Sequence, residues 1–547
     1  MKNKILSILV VLFVLSTCVF TLTACEDKDK CINKNGHAYG QWVSNGDGTH
    51  TRVCAYDMSH QETLNCGGGT ATCTQKAVCA ICLQLYGEPK GHSIVIDQGV
   101  ASTCTETGLT EGSHCKTCGE VLVEQNNVDI VPHNYNKSIC SYCGISNLAF
   151  ELNASGTAYT VEGVGSCDET EINIPATFSG KPVTSIGSYA FYYCSSLTSV
   201  VIPNGVTSIG DMAFYGCSSL TEIVIPDSVT SIGSYAFSGC SSLTSVNYTG
   251  TIDKWAEILF GNAYANPLYY ANQLKINGEV VNEVNLTSAT KVSSYAFYKC
   301  SSLTSVVIPD SVTSIGNYVF AYCESLTSVV IPDSVTSIGD SAFYNCSSLK
   351  SIVIPGSVTS IGSSAFDGCS SLTSVVIPDS VTSLGRWAFD GCSNLTSVVI
   401  GDSVTTIGFG AFRGCYNLTS VVIPDSVTSL DVDAFYGCSN LISVVIGDSV
   451  IFIGDYAFSG CSSLTSVVIG DSVTSIGSYA FYGCSSLTSV VIPGSVTSIN
   501  YCAFYGCSNL TSIKYRGTQT QWDKITKGNN WNSNTGNYTI TYNYTGK

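Results

Sequence analysis

A 23-residue unit, which reads CSSLTSVVIPDSVTSIGNYVFAY from Cys300 to Tyr322, recurs with small changes along most of this 547-residue chain. Phe-x-x-Cys closes thirteen copies, at Cys194, Cys217, Cys240, Cys300, Cys323, Cys346, Cys369, Cys392, Cys415, Cys438, Cys461, Cys484 and Cys507. A fixed period in the twenties marks a solenoid, in which each repeat is one coil that cannot bury its apolar face until neighbours stack on it. Such a stack presents a long repetitive surface, which suits binding better than catalysis.

Within the unit, Leu303, Val306 and Ile308 form an L-x-x-V-x-I pattern rich in β-branched residues, which predicts a short strand. Pro309-Asp310 ends it, because proline lacks the ladder donor and aspartate forms local turns. Val312 and Ile315 predict a second extended piece, and Gly316 supplies the bend. The Phe found in every unit reads as core, since equivalent positions need a fixed volume. The thirteen Cys read as small buried hydrophobes with free thiols, because a continuous ladder cannot pair each one with both neighbours.

These units, of the form CSSLTSVVIPDSVTSIGSYAFYG, resemble the leucine-rich repeats of BspA-like bacterial surface proteins from about Leu148 to the C-terminus. The resemblance implies a mainly β, curved leucine-rich-repeat solenoid with the L-x-x-V-x-I strands on its concave sheet. It also implies an adhesin that attaches bacteria to host matrix, host cells or other microbes.

The expected organisation follows. Residues 1–24 read as a lipoprotein signal, with Lys2 and Lys4 before an apolar run from Ile5 to Phe20. Leu22-Thr23-Ala24-Cys25 resembles a lipoprotein box, so Cys25 is the expected lipidated residue and residues 25–30 a tether. Ordinary secretion after nearby cleavage is the competing reading. A Cys/His-rich segment spans 31–145, an N-terminal cap 147–185, and repeats 186–246. An insertion at 247–290, more repeats at 291–513 and a C-terminal cap at 514–547 complete the chain. Tyr515-Arg516-Gly517-Thr518, Trp522 and Ile525 of the last cap recur as Tyr248-Thr249-Gly250-Thr251, Trp255 and Ile258 in the insertion, which is expected to project or to bend the stack.

All six His lie between His37 and His133, among eleven Cys between Cys31 and Cys143. Cys73, Cys79, Cys82 and His92 form one candidate metal set, and Cys104, Cys115, Cys118 and His133 a second. Three thiolates and an imidazole suit a closed structural zinc site, and a segment poor in apolar residues needs such a staple. Cys54, His60 and Cys66 outline a third, with His50 or His37 nearby, while His114 is left over. A disulfide scaffold is the alternative for an exported segment, although eleven is an odd count. Strings such as GTHTRVC and ATCTQKAVCAIC also resemble repeats found beside surface modules of anaerobic bacteria.

The chain carries 40 acidic and 23 basic residues, a net charge of −17, which argues against nucleic acid and anionic membrane as partners of the solenoid. The lipid anchor is its expected membrane link, and the resemblance implies protein or glycan ligands on host or microbial surfaces as partners. Turn aspartates recur at Asp227, Asp310, Asp333, Asp379, Asp402, Asp425, Asp448 and Asp471. One carboxylate per coil makes a poor calcium cage, so these read as turn formers. The solenoid holds no His, and no nucleophile–base pair is visible, so no enzyme is expected.

The repeats vary chiefly at two positions, the residue two before Phe and the one after it. Tyr dominates both, as on many binding surfaces, although Tyr also packs neighbouring coils. Arg386, Trp387, Asp390, Phe409 and Arg413 break the monotony most and form the candidate ligand site. The competing function is a surface metal-binding or metal-sensing lipoprotein whose active part is the Cys/His segment.

Overall fold

The computed structural model describes residues 40–45, 49–53, 61–65, 77–78, 80, 85–86, 90–102, 106–130, 135–136, 139–140, 147–165 and 167–546. It divides into two compact units, residues 1–133 and 134–547. In the first, Val43–Ser44, Thr49–Val53 and Gln61–Asn65 make one antiparallel sheet. Ile94–Asp97, Gly112–Cys115 and Val121–Val123 make another.

The second unit is a parallel-strand solenoid. In each coil the L-x-x-V-x-I segment supplies a strand such as Ser374–Ile377, whose side chains alternate exposed and buried as the two-residue period requires. A shorter strand, such as Ser383–Leu384, follows. Stacking pairs the strands of successive repeats in 23-residue register, Ser374 opposite Ser397 and Ile377 opposite Ile400. One sheet runs through eight strands from Ser374–Ile377 to Thr539–Thr541, another through ten from Ser314–Ile315 to Thr526–Lys527.

The third side has no strands. There Phe191, Phe214 and Phe237, then Phe297 through Phe504, stack face to face at 5.0–5.5 Å with interplanar angles of 1–15°. Burying each ring contributes about 1.5–3 kcal/mol, and the offset between rings adds favourable edge contact. Each Phe N–H donates to the next coil, as Phe389 to the Ala411 carbonyl at 2.8 Å. The Cys three residues on is buried, and its thiol donates to the Phe carbonyl of the preceding coil, Cys392 to Phe366 at 3.2 Å. Burial pushes these thiols up, Cys438 to about 12. Cys194 differs from the expectation of free thiols: it is bonded to Cys167 and so ties the N-terminal cap to the first coil.

The Ser- and Thr-rich composition also has a structural cause. Turn serines donate across coils, Ser380 to the Val358 carbonyl at 2.6 Å, and Thr396 donates to the Thr373 carbonyl at 3.0 Å. The Gly bend is imposed by contact: a Cβ on Gly385 would sit 2.5 Å from the Gly362 carbonyl carbon.

At the N-terminal end Leu148–Leu152 pairs antiparallel with Tyr159–Val164, which lies parallel to Lys181–Ile186. The insertion neither projects nor lies outside the stack. Its Leu259–Phe260 pairs parallel with Ser231–Ile232, and Leu274–Ile276 with Ser245–Tyr248, as the strands of successive coils do. Trp255 is fully buried and donates its indole N–H to the Ala296 carbonyl at 2.8 Å, so the segment is held as an enlarged coil of the core. The repeated motif keeps its geometry: Tyr248 and Trp255 meet edge-on at 5.4 Å, Tyr515 and Trp522 at 5.1 Å.

Candidate functional site

Two backbone positions per coil shape the strandless side. The residue two before Phe has φ between +52° and +67° in all thirteen coils, and the residue before Cys is also left-handed in each. Nine of the thirteen residues at the second position are Gly, which carries no penalty there. At the first position only Gly410 is; the others include Tyr189, Tyr235, Tyr295, Tyr318, Trp387, Tyr456 and Tyr479. A left-handed non-glycine residue costs roughly 1–2 kcal/mol. The conformation aims N–H groups at the next coil, as Trp387 to the Phe409 carbonyl at 2.7 Å and Gly391 to the Arg413 carbonyl at 2.8 Å. Glycine would serve that purpose at lower cost, yet seven of the thirteen coils hold Tyr or Trp there, the others being Met212, Ser341, Ser364, Gly410, Asp433 and Cys502.

The tyrosines of this side, at the first position and next to Phe or Cys, stack coil on coil. Tyr295 lies on Tyr318 at 5.3 Å, Tyr456 on Tyr479 at 4.6 Å and Tyr482 on Tyr505 at 5.2 Å. Tyr189, Tyr193 and Tyr235 remain 54%, 57% and 41% exposed. Packing and display are therefore two aspects of one row.

Between the tyrosine groups the row becomes charged. The structure brings the five candidate residues together. Arg386 lies 4.8 Å from the Trp387 ring and 5.1 Å from the Phe409 ring, and those two rings meet edge-on at 5.1 Å. In the next coil Arg413 lies 5.6 Å from the Tyr436 ring. Arg413 also acts on Asp390, whose carboxyl burial raises and Arg413 lowers. Asp367, one coil earlier and absent from the sequence-derived set, belongs to the same patch. Burial lifts it to about 6, with Asp390 adding to the rise and the Ser364 hydroxyl, 3.2 Å away, opposing it.

The turn aspartates act as inter-coil clamps. Asp379 accepts the Asp402 N–H at 2.9 Å, and Asp425 that of Asp448 at 2.8 Å. Lys254 pairs with Asp227 and Arg516 with Asp471, so cations from the two cap-like modules meet this row.

Sequence reasoning missed a second surface. The outward residue of the main strand is Val in coil after coil, and Val330, Val376, Val399 and Val422 are 55–63% exposed. The repeat had hidden it, because an invariant Val reads as core until the strand alternation is fixed.

In the first unit, His92, Cys115 and Cys118 come together with their donor atoms within 4.8 Å of one another. They were expected in separate sets. Ile94 pairs opposite Cys115 across the sheet, which carries His92 past the Cys115–Cys118 turn, and spacing along the chain cannot reveal that register. His114, left over in the sequence, pairs with Asp97 at 2.9 Å. Cys25, Cys54, His60, Cys66, Cys73, Cys79, Cys82, Cys104 and His133 lie outside the described residues.

Comparison with known proteins agrees with this architecture. A leucine-rich repeat protein from Bacteroides ovatus shares 30% identity, with a TM-score of 0.56 over 73% of this chain and 98% of its own. A leucine rich cell surface protein from Faecalibacterium prausnitzii is also 30% identical over 73% and 98%, with a TM-score of 0.40. No curated protein matches. Residues 165–289, 290–419 and 405–529 match the BspA type leucine rich repeat region, in six copies. With well over half of its length so matched, the chain belongs to the BspA-type leucine-rich repeat family.

Proposed function

We propose that this repeat scaffold is a cell-surface adhesin, binding protein or glycan ligands on host or microbial surfaces through the strandless side of the solenoid. The observation that carries the reading is the aromatic residue held where the backbone favours glycine. Strain of that kind persists where the side chain has a task of its own. Half-exposed Tyr, Trp and Arg supply large contact area with polar tips at small entropic cost, which is the composition of binding hot spots. The Arg386–Trp387–Phe409 group with Asp367, Asp390 and Arg413 is the part of that side with charge and shape of its own. Attachment through a lipidated Cys25 belongs to the proposal and rests on the sequence Leu22 to Cys25. Among the described residues, no helix is long and apolar enough to cross a membrane.

The test is binding of the purified chain to immobilised matrix proteins, mucins and whole cells. Saturable binding that competes with soluble ligand supports an adhesin. Failure to bind any of these surfaces removes the reading.

A further inference from the structure

We infer that His92, Cys115 and Cys118 bind one zinc-class divalent cation and that Glu120 orients the histidine. Tetrahedral zinc, with bonds of about 2.3 Å to sulfur and about 2.0 Å to nitrogen, spaces its donors about 3.6–3.8 Å apart. His92 Nδ1 already lies 3.7 Å from Cys118 Sγ, and the three donors together lie within 4.8 Å. The other ring nitrogen, Nε2, lies 3.5 Å from a carboxylate oxygen of Glu120. That division of the imidazole, one nitrogen toward sulfur and the other toward a carboxylate, is the arrangement by which metal-binding histidines are fixed in tautomer and orientation.

The backbone builds the same site. Cys115 ends the strand Gly112–Cys115, and its carbonyl accepts the Gly119 N–H at 2.8 Å. Its N–H donates to the Glu120 carbonyl at 2.8 Å, so the Cys115–Cys118 turn is closed by the residue that faces His92. Gly119, at φ +75°, makes the turn without strain. The Thr117 N–H donates to Cys115 Sγ at 3.4 Å, which fixes the sulfur within the turn. On the other side, the Lys116 N–H donates to the Ser93 carbonyl at 2.8 Å and pins the segment carrying His92 beside the turn.

The surroundings explain why an ion is needed. Ile94, Ile96, Val121 and Val123 of this sheet are 55–66% exposed, and among the described residues of the unit Cys115 is the one fully buried apolar side chain. A structural cation is a usual supplement to so little apolar burial in small segments. Two thiolates offset the charge of the ion, and the mix of sulfur and imidazole donors favours zinc over calcium or magnesium. Among the described residues three donors converge, and a tetrahedral ion takes a fourth ligand besides them.

The experiment measures zinc in the reduced full-length chain after gel filtration, then replaces it with Co²⁺ and records the visible spectrum. A thiolate-to-cobalt charge-transfer band is expected, and Cys118→Ser and His92→Ala should each lower the metal content by one equivalent relative to the wild type. Glu120→Gln leaves every ligand in place. It should keep the stoichiometry while weakening affinity about 10–100-fold in a chelator competition. Equal metal content in the wild type and Cys118→Ser overturns the inference. So does unchanged affinity in Glu120→Gln together with a Cys115–Cys118 disulfide in freshly isolated protein.

Discussion

The indole of Trp387 occupies the space over Gly410: a Cβ at Gly410 would sit 2.7 Å from Trp387 Cδ1. The single glycine at the first left-handed position therefore lies where the neighbouring coil's tryptophan needs room. Gly410→Ala should displace the indole and open the Arg386–Trp387–Phe409 group. The left-handed backbone, at φ +59°, adds roughly 1–2 kcal/mol of strain. Thermal unfolding should fall by that amount, and tryptophan fluorescence should report a more solvated ring. Unchanged fluorescence would mean that the ring does not depend on Gly410.

Asp367 sets a pH dependence. Its folded value of about 6 stands above the ordinary 3.8, because burial and Asp390 disfavour the charge. The native state then holds the proton more firmly than the unfolded chain. The stability this contributes is full below about pH 4 and is lost as pH rises through about 6. Asp367→Asn should thus stabilise the protein at pH 7–8 by about 1 kcal/mol, a figure reduced for the group's exposed edge. The gain should disappear near pH 4. Equal denaturant midpoints for the two proteins at pH 7.5 would refute the raised value.

The cysteine row should be chemically silent. Cys323, Cys346, Cys369, Cys392 and Cys415 are fully buried, with thiols held in the protonated form by burial. A maleimide added to the native protein should leave all five unlabelled, whereas denaturant should expose them together. Cys392→Ala should cost about 1–2 kcal/mol, from the small cavity and the lost thiol hydrogen bond to Phe366. Rapid native labelling would mean that the coils open.

How much of this was legible in the sequence depends on what fixes each feature. Period, strand positions and the Phe and Cys core follow from side-chain volume and β propensity, which act within one coil and repeat. The place of the Trp255 module did not follow, because its burial depends on how the Ala296 carbonyl meets the indole across the stack. The Cys167–Cys194 bond joins a residue outside the period to one inside it, and no spacing announces that. Arg386, Trp387, Asp390, Phe409 and Arg413 could be found as departures from a repeat. Asp367, which follows Phe366 as Asp390 follows Phe389, departs from the repeat in the same way, but its raised proton affinity comes from burial beside Asp390 and is not written in the spacing. The exposed Val row was concealed by its own regularity.

Trp255 tests the continuity of the core. Among the described residues, the strand ladders pause between the insertion's Leu259–Phe260 and Leu274–Ile276 and the coils that follow, while the buried side chains continue through this region. Trp255→Ala should cost about 3–5 kcal/mol and split a single unfolding transition into two, because stacked coils are coupled only through nearest neighbours. A single transition with an unaltered midpoint would show that the module contributes little to the stack.

The decisive comparison sets the two exposed surfaces of the solenoid against each other. One full-length variant carries Trp387→Gly and Arg413→Ala on the strandless side; the other carries Val376→Thr and Val399→Thr on the main sheet. Gly410 shows that glycine fits the first position, so the first variant should fold with near wild-type stability. Binding to matrix proteins, mucins and cells is then measured for both. The account expects the first variant to lose at least tenfold in affinity and the second to bind as the wild type does. Binding retained by the first and lost by the second would contradict it and move the ligand to the valine-bearing sheet.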